Sequence, residues 1–405
     1  MSKNKRLSAA GTRPRLNTMA SVVSLATVCF FSGVSLAQEE PKPRSAPNAD
    51  VLDAATWKQV DTSVERGLEW LISQQNEDGS FDSPASGQPA ITSFCLMAFL
   101  AQGESPADGK YQQQLVAAVN FIADQQKRNG LIASTAPNDV PIPRNVHKTV
   151  GSPSVYNHAI SGLALCEAYG QCSPEQAERL TPIIEKAIAA TVEMQRWGPK
   201  QKQNVGGWRY LDLRFPGKFS DLSVSGWQLM FLRSAKNAGF DVPEKSIDAA
   251  VKYIEGCFLK DKDRKVHAYL AGNRRACTRA MAGAGILALA HAGKHDSKEA
   301  RSSGEWLLKH DFKKYNDDTP PYGARPWQDR YHYGSVLCSQ AMFQLGGKYW
   351  KQFFPPLVDT LLANQQPNGA WPPEKNEPQY GQVYSTSLCI LSLSVPNQML
   401  PIFQR

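Results

Sequence analysis

The chain has 405 residues, 42% of them apolar, enough to enclose a large core. Its formal charge is +8, but Lys3, Lys5, Arg6, Arg13 and Arg15 put five positive charges into residues 1–37, where there is no acid, so the remainder carries +3 (8 − 5). A charge that small, without a basic run, leaves no electrostatic footprint for a nucleic-acid partner.

The basic leader is followed by an apolar run from Met19 to Ala37 that ends in Ser35-Leu36-Ala37, a small-x-small site. This is the layout of a secretory signal peptide covering 1–37. The run is also about as long as a membrane span, so a retained anchor is the alternative to cleavage. After cleavage no stable transmembrane span is expected, and the protein is placed in the periplasm or outside the cell. Residues 38–56, opening Gln38-Glu39-Glu40-Pro41-Lys42-Pro43-Arg44, read as a flexible linker. Helical periodicity begins near Trp57 and carries to residue 405.

Seven cysteines remain beyond the leader, an odd number with no Cys-x-x-Cys. Five of them (Cys95, Cys166, Cys277, Cys338 and Cys389) sit in apolar helical runs and are expected to be buried thiols acting as small apolar residues. No disulfide framework is needed in a chain of this length.

The body of the chain repeats one pattern: an amphipathic helix, a glycine turn with an aromatic or apolar residue, a loop, and an almost wholly apolar helix. Repeat one has Val64, Leu68, Leu71 and Ile72 at helical spacing, then Gln75, Gly79 and Phe81, then Ile91 to Ala101. Repeat two runs through Leu115, Val119 and Ile122 to Gln126, Gly130 and Ile132, then Tyr156 to Tyr169. Repeat three has Ile184, Ile188 and Val192, then Gly206-Gly207-Trp208, then Asp221 to Ala235. Repeats four (Ile247 to Ala292) and five (Trp306 to Leu345) are degenerate, and four lacks a glutamine turn. Repeat six closes the series with Val358, Leu361 and Leu362, then Gln365, Gly369 and Trp371, then Ser385 to Leu393. Gly permits the positive φ that ends a helix, and the Gln amide can satisfy loose groups at a helix end.

The first helices have one polar side; the second are apolar nearly all round, Met281 to Ala290 being the extreme case. A helix with no polar face must be enclosed. Six such pairs suit an inner ring of helices within an outer ring, an all-α architecture with no open end to cap. The long loops at 133–154, 314–330 and 371–383 are expected to line or cover a site.

Gly67-Leu68-Glu69-Trp70-Leu71 with Gln75, Gly79 and Phe81 resembles the glutamine–tryptophan repeat of squalene–hopene cyclases, oxidosqualene cyclases and protein prenyltransferase β subunits, and Leu361 to Gln365 with Gly369 and Trp371 looks like another copy. The resemblance covers roughly residues 60–395, and the end of the chain is similar to exported bacterial members of this class. It implies an α/α toroid of six inner and six outer helices, with the N-terminal ends of the inner helices facing a central cavity. The catalytic signatures of the superfamily are not reproduced. Class II cyclases carry an Asp-x-Asp-Asp run at an inner-helix start; the nearest match is Ser220-Asp221-Leu222-Ser223, with one acid, while Asp317-Asp318-Thr319 is followed by two prolines and reads as loop. Prenyltransferases bind zinc through Asp-x-Cys and a later His. Here Cys277 and His332 are candidates, but Arg275 stands at the acid position, so no metal and no cofactor is expected.

At the inner-helix starts the toroid would bring together Tyr156, His158, Asp221, Arg274, Arg275, Asp329, Tyr331, His332, Tyr333 and Tyr384. As a set they suit an amphiphile with a polar or anionic head. Arg274 and Arg275 would pair with phosphate or carboxylate, or else hold Asp329 or Asp221. Asp221 is the one weak candidate for a catalytic acid; with Ser223 it also reads as a helix N-cap. The leading expectation is an exported binding or scaffold protein with a central pocket for an apolar, isoprenoid-like small molecule or a protein segment. The alternatives are an isoprenoid enzyme with a non-standard site, and a polysaccharide-processing toroid, which would need two carboxylates facing each other across a cleft. Acids converging free in the cavity would favour an enzyme; an Asp221 spent on capping its own helix would favour binding.

Overall fold

The computed structural model describes residues 51–136, 151–197, 202–211, 219–261, 264–272, 277–317 and 328–404. The leader, most of the linker and the Arg274-Arg275 pair lie outside them. The described residues form twelve α-helices and no strand, only isolated bridges within turns. The outer helices are α1 (Ala54–Ile72), α3 (Gln112–Asp124), α5 (Pro174–Trp197), α7 (Glu244–Gly256), α9 (Lys298–Leu307) and α11 (Gly347–Asn364). The inner helices are α2 (Ala90–Leu100), α4 (Gly151–Tyr169), α6 (Leu222–Asn237), α8 (Arg279–His291), α10 (Tyr331–Leu345) and α12 (Gly381–Leu393). Each inner helix packs on the next, α12 returns to α2, and α1 closes the outer ring against α11 and α12. This is an α/α toroid, and each expected repeat is one outer–inner pair. The first helix starts at Ala54, earlier than periodicity alone placed it, because the Asp53 carboxylate caps it by accepting the Thr56 amide at 2.7 Å. No helix among the described residues is long and apolar enough to cross a membrane.

The apolar patterning is realised on the inner ring. Every residue of α2 is buried, as is Arg279–Leu289 of α8. Outer α7 buries one stripe, Ser246, Ile247, Ala250, Tyr253 and Ile254. The glycines of α8 are sites of close approach: a Cβ at Gly283 would lie 2.9 Å from the backbone of Leu337 on α10, and one at Gly285 would strike the His267 ring. All seven cysteines are free thiols, and six are buried.

The glutamine turn is the joint between repeats. The Gln75 amide donates to Gly79 O and to Gln114 O on the next outer helix. Gln126 does the same with Gly130 O and Ile183 O, and Gln365 with Gly369 O and Ser63 O, the last bond joining the two ends of the ring. Repeat three has the same joint, supplied by Gln195 to Gly206 O and Ser246 O; eleven residues separate that pair, so the sequence spacing hid it. The turn glycines have φ near +90° and press on the neighbouring helix: a Cβ at Gly206 would sit 2.1 Å from Ala249 O. Repeat four, which lacks the glutamine, keeps the backbone bridge that flanks the turn, across a longer loop. Phe258 bridges His267 as Gln75 bridges Phe81, with Leu259 N donating to Val266 O and Ala268 N to Cys257 O.

At the C-terminal ends of the inner helices the last residues of the chain lie across the ring. Asn397 donates to Ala101 O, Gln344 to Phe403 O, and Ile402 N to Glu167 Oε2. Burial raises the Glu167 carboxyl to about 7.

Candidate functional site

A cavity of about 640 Å³ lies at the other end, where the inner helices begin. All six inner helices contribute a side chain in one register: Ala90, Tyr156, Ser223, Ala280, Tyr333 and Tyr384. On four of these helices, α2, α4, α6 and α12, the side chain two residues further along turns away from the cavity and receives the amide of the preceding turn. Phe81 N donates to Thr92, Ile132 N to His158 Nδ1, Trp208 N to Ser225 and Trp371 N to Thr386. One helical register thus divides cavity from core. Below the first layer lie Ile91, Phe94, Ile160 and Met281; the loops add Arg209, Tyr210, Tyr269, Arg330, Glu377 and Tyr380 at the sides. Of residues 371–383, expected to line or cover a site, Glu377 and Tyr380 line this cavity. Most of the other two long loops lies outside the described residues.

Of the residues singled out from sequence, Tyr156, Tyr333 and Tyr384 meet at the cavity. His158 does not. It is fully buried, with Nδ1 accepting the Ile132 amide and Nε2 2.9 Å from Thr191 Oγ1, and burial lowers its pKa to about 3. It is the histidine version of the Thr and Ser residues in the same register. His332 and Tyr331 also belong to the core: the His332 ring lies 2.9 Å from Glu374 Oε2 and 2.8 Å from the Tyr315 hydroxyl, and the Tyr331 hydroxyl donates to Phe312 O. Arg274 and Arg275 lie outside the described residues, and the acids they were expected to hold have other partners.

Those acids are spent at helix starts. Asp221 caps α6, accepting Val224 N at 2.8 Å on one oxygen and the Arg209 guanidinium at 2.7 Å on the other. Asp329 accepts the backbone and Nε of Arg279, the first residue of α8. Glu374 accepts the amides of Tyr331 and His332, the first turn of α10. Three buried carboxylates therefore neutralise the positive ends of three consecutive inner helices. Burial raises the pKa of Asp221 against the pull of Arg209. Arg209 stacks over Tyr210 (4.3 Å) and Tyr269 (5.4 Å), which are joined hydroxyl to hydroxyl at 2.6 Å. Glu377 reaches the cavity, and it is paired with Arg330 at 2.7 Å. Among the described residues no group of three His, Cys, Asp or Glu side chains is placed to hold a metal ion.

Sequence reasoning missed the loop residues Arg209, Tyr210, Tyr269, Arg330, Glu377 and Tyr380. A signal exists for the first two, which directly follow the turn aromatic in Trp208-Arg209-Tyr210.

No family model and no curated protein sequence matches the chain. Its fold matches solved structures of two enzyme classes. One is the type II terpene cyclase MstE from Scytonema, solved with geranylgeranyl dihydroxybenzoate; it is 13% identical at a TM-score of 0.53, over 86% of this chain and 100% of that one. An alpha-amylase from Clostridium perfringens is 12% identical, with a TM-score of 0.53 over 82% of this chain and 97% of that one. A family 76 glycoside hydrolase from a bovine Bacteroides thetaiotaomicron strain is 12% identical, with a TM-score of 0.55 over 84% of this chain and 77% of that one. At these identities the likeness establishes a shared α/α toroid.

Proposed function

We propose that the protein is an exported binding protein whose central cavity takes up an apolar, isoprenoid-like small molecule. The observation that carries this reading is the state of the acids at and around the cavity among the described residues: Asp221, Asp329 and Glu374 are bonded to helix-start amides, and Glu377 is bonded to Arg330. A general acid must be free to deliver its proton to a substrate, and a glycosidase needs a facing pair. An apolar floor under a tyrosine rim, in a volume typical of small-molecule sites, supports binding. The solved terpene cyclase with its geranylgeranyl ligand makes a prenyl chain the first ligand class to try. Export rests on the leader sequence.

The test is mass spectrometry of small molecules copurifying with the mature protein from its own cell envelope, followed by prolonged incubation of the loaded protein. One enriched amphiphile, released with its mass unchanged, is the expected result. A ligand released as an isomer or a hydrolysed product would move the protein among the enzymes. No enrichment, together with no uptake of added farnesol or β-farnesene, would remove the small-molecule reading.

A further inference from the structure

We propose that the cavity selects ligands bearing a neutral hydrogen-bond-accepting oxygen (an alcohol, ether, ketone or ester on an apolar body) at a donor site formed by Ser223 and Tyr333. The proposal rests on the binding reading above and specifies its ligand. Two observations carry it.

The first is charge. The arginines of the described cavity wall are compensated within the protein, Arg209 by Asp221 and Arg330 by Glu377. An anionic head placed on either arginine would be held beside that arginine's carboxylate, or would have to displace it and leave it without its partner.

The second is a count of protons. The Tyr156 hydroxyl donates to Ser223 Oγ at 2.9 Å, Ser223 Oγ and the Tyr333 hydroxyl are 2.8 Å apart, and Trp227 Nε1 donates to the Tyr333 hydroxyl at 2.7 Å. Tyr156 also meets the Tyr210 hydroxyl, but its own proton is spent on Ser223, so from Tyr156 to Trp227 three hydroxyls and one indole N–H bring four protons and three bonds use three of them. If Ser223 donates to Tyr333, the Tyr333 proton is unspent; if Tyr333 donates, the Ser223 proton is. Both residues line the cavity. The spare donor thus faces the ligand space whichever way the chain is oriented. Burial raises the pKa of Tyr156 and Tyr333, so both hydroxyls keep their protons at any physiological pH. A hydrocarbon would leave this donor unmet, and an acceptor oxygen satisfies it.

The experiment is calorimetric titration of the mature protein with four farnesyl probes: the alcohol, its methyl ether, the monophosphate and the hydrocarbon β-farnesene. The ether is decisive because it accepts a hydrogen bond and cannot donate one. The wild type is expected to bind ether and alcohol about tenfold more tightly than the hydrocarbon, with the phosphate no tighter than the alcohol. In Ser223→Ala/Tyr333→Phe that preference collapses while hydrocarbon binding persists, which shows that the cavity is intact. In Tyr156→Phe it survives, because Ser223, Tyr333 and Trp227 still hold three protons for the two bonds among them. Equal binding of ether and hydrocarbon by the wild type would overturn the donor site and leave the apolar cavity standing. Tightest binding of the phosphate would overturn the neutral-ligand claim. Binding of none of the probes would overturn both this proposal and the cavity reading beneath it.

Discussion

Repeats one, two, three and six are joined to their neighbours by a neutral device, whereas repeats four and five are joined by ionic ones. In the first group a glutamine amide spans its own turn and a carbonyl of the next outer helix. In the second there is no such glutamine. His267, kept neutral by burial, reaches Ser303 on α9; the ionic joints are the Arg279–Asp329 pair, which ties the start of α8 to the loop before α10, and Glu374, which ties the start of α10 to the turn before α12. Arg279 also donates to Asp311 O and Asp317 O and lies 4.2 Å from the Phe312 ring, so one cation organises the whole turn that a glutamine and a glycine organise elsewhere. The two solutions share one need, since each must satisfy backbone groups at helix ends sealed inside the ring. They differ in what happens when one member is lost. A neutral joint loses hydrogen bonds; an ionic joint strands a buried charge.

That difference can be broken experimentally. Arg279→Ala leaves Asp329 buried without its counterion and is expected to cost about 3–5 kcal/mol in denaturant unfolding. Replacing the pair together by Arg279→Met and Asp329→Leu should recover most of that loss; failure to recover would mean that the backbone bonds of Asp329 and Arg279 matter more than their charges. Gln365→Ala, on the neutral side, removes the donor to Ser63 O and Gly369 O and should cost about 1–3 kcal/mol. Because Gln365 joins the two ends of the ring, hydrogen exchange in α1 should accelerate more than in α5. A Gln365→Ala protein as unstable as Arg279→Ala would erase the distinction.

The fold was legible because its signal is written six times. Enclosed inner helices, amphipathic outer helices and turn glycines each report one physical demand, and the demand recurs with the repeat. The site was legible where it follows the inner-helix register, as with Tyr156, Tyr333 and Tyr384, and opaque where loops supply it. Arg209 and Arg330 could not be assigned to the cavity from sequence, because their positions depend on how the turns of successive repeats meet, Arg209 with Tyr269 and Arg330 with Glu377. His158 and His332 were misplaced because residue type was weighed without register. His158 shares its position with Thr92, Ser225 and Thr386, all facing the turn, and reading the four together would have turned it away from the cavity. Glu374 went unnoticed because its role is set by an inner helix more than forty residues earlier in the chain.

The smallest expected effect is also the most selective, and it concerns Glu374. Burial pushes its pKa up, but the hydrogen bond and charge of His332 and the amides of Tyr331 and His332 outweigh that and hold it below the ordinary value of 4.5. A carboxylate with a folded pKa below its unfolded one binds fewer protons in the native state. Its contribution to stability is therefore complete above about 4.5 and is lost as pH falls through the depressed folded value. Protonation removes the acceptor for the first turn of α10, whereas the glutamine joints do not titrate at all. Hydrogen exchange followed from pH 6 down past 4.5 and through the depressed folded value should accordingly show α10 losing protection before α1, α3 and α5. Glu374→Gln, which keeps one acceptor oxygen but has no charge to lose, should abolish that early step while lowering stability at neutral pH. If all outer and inner helices lost protection together in both proteins, the acid sensitivity would belong to the ring as a whole, and the division between neutral and ionic joints would have no consequence for how the ring opens.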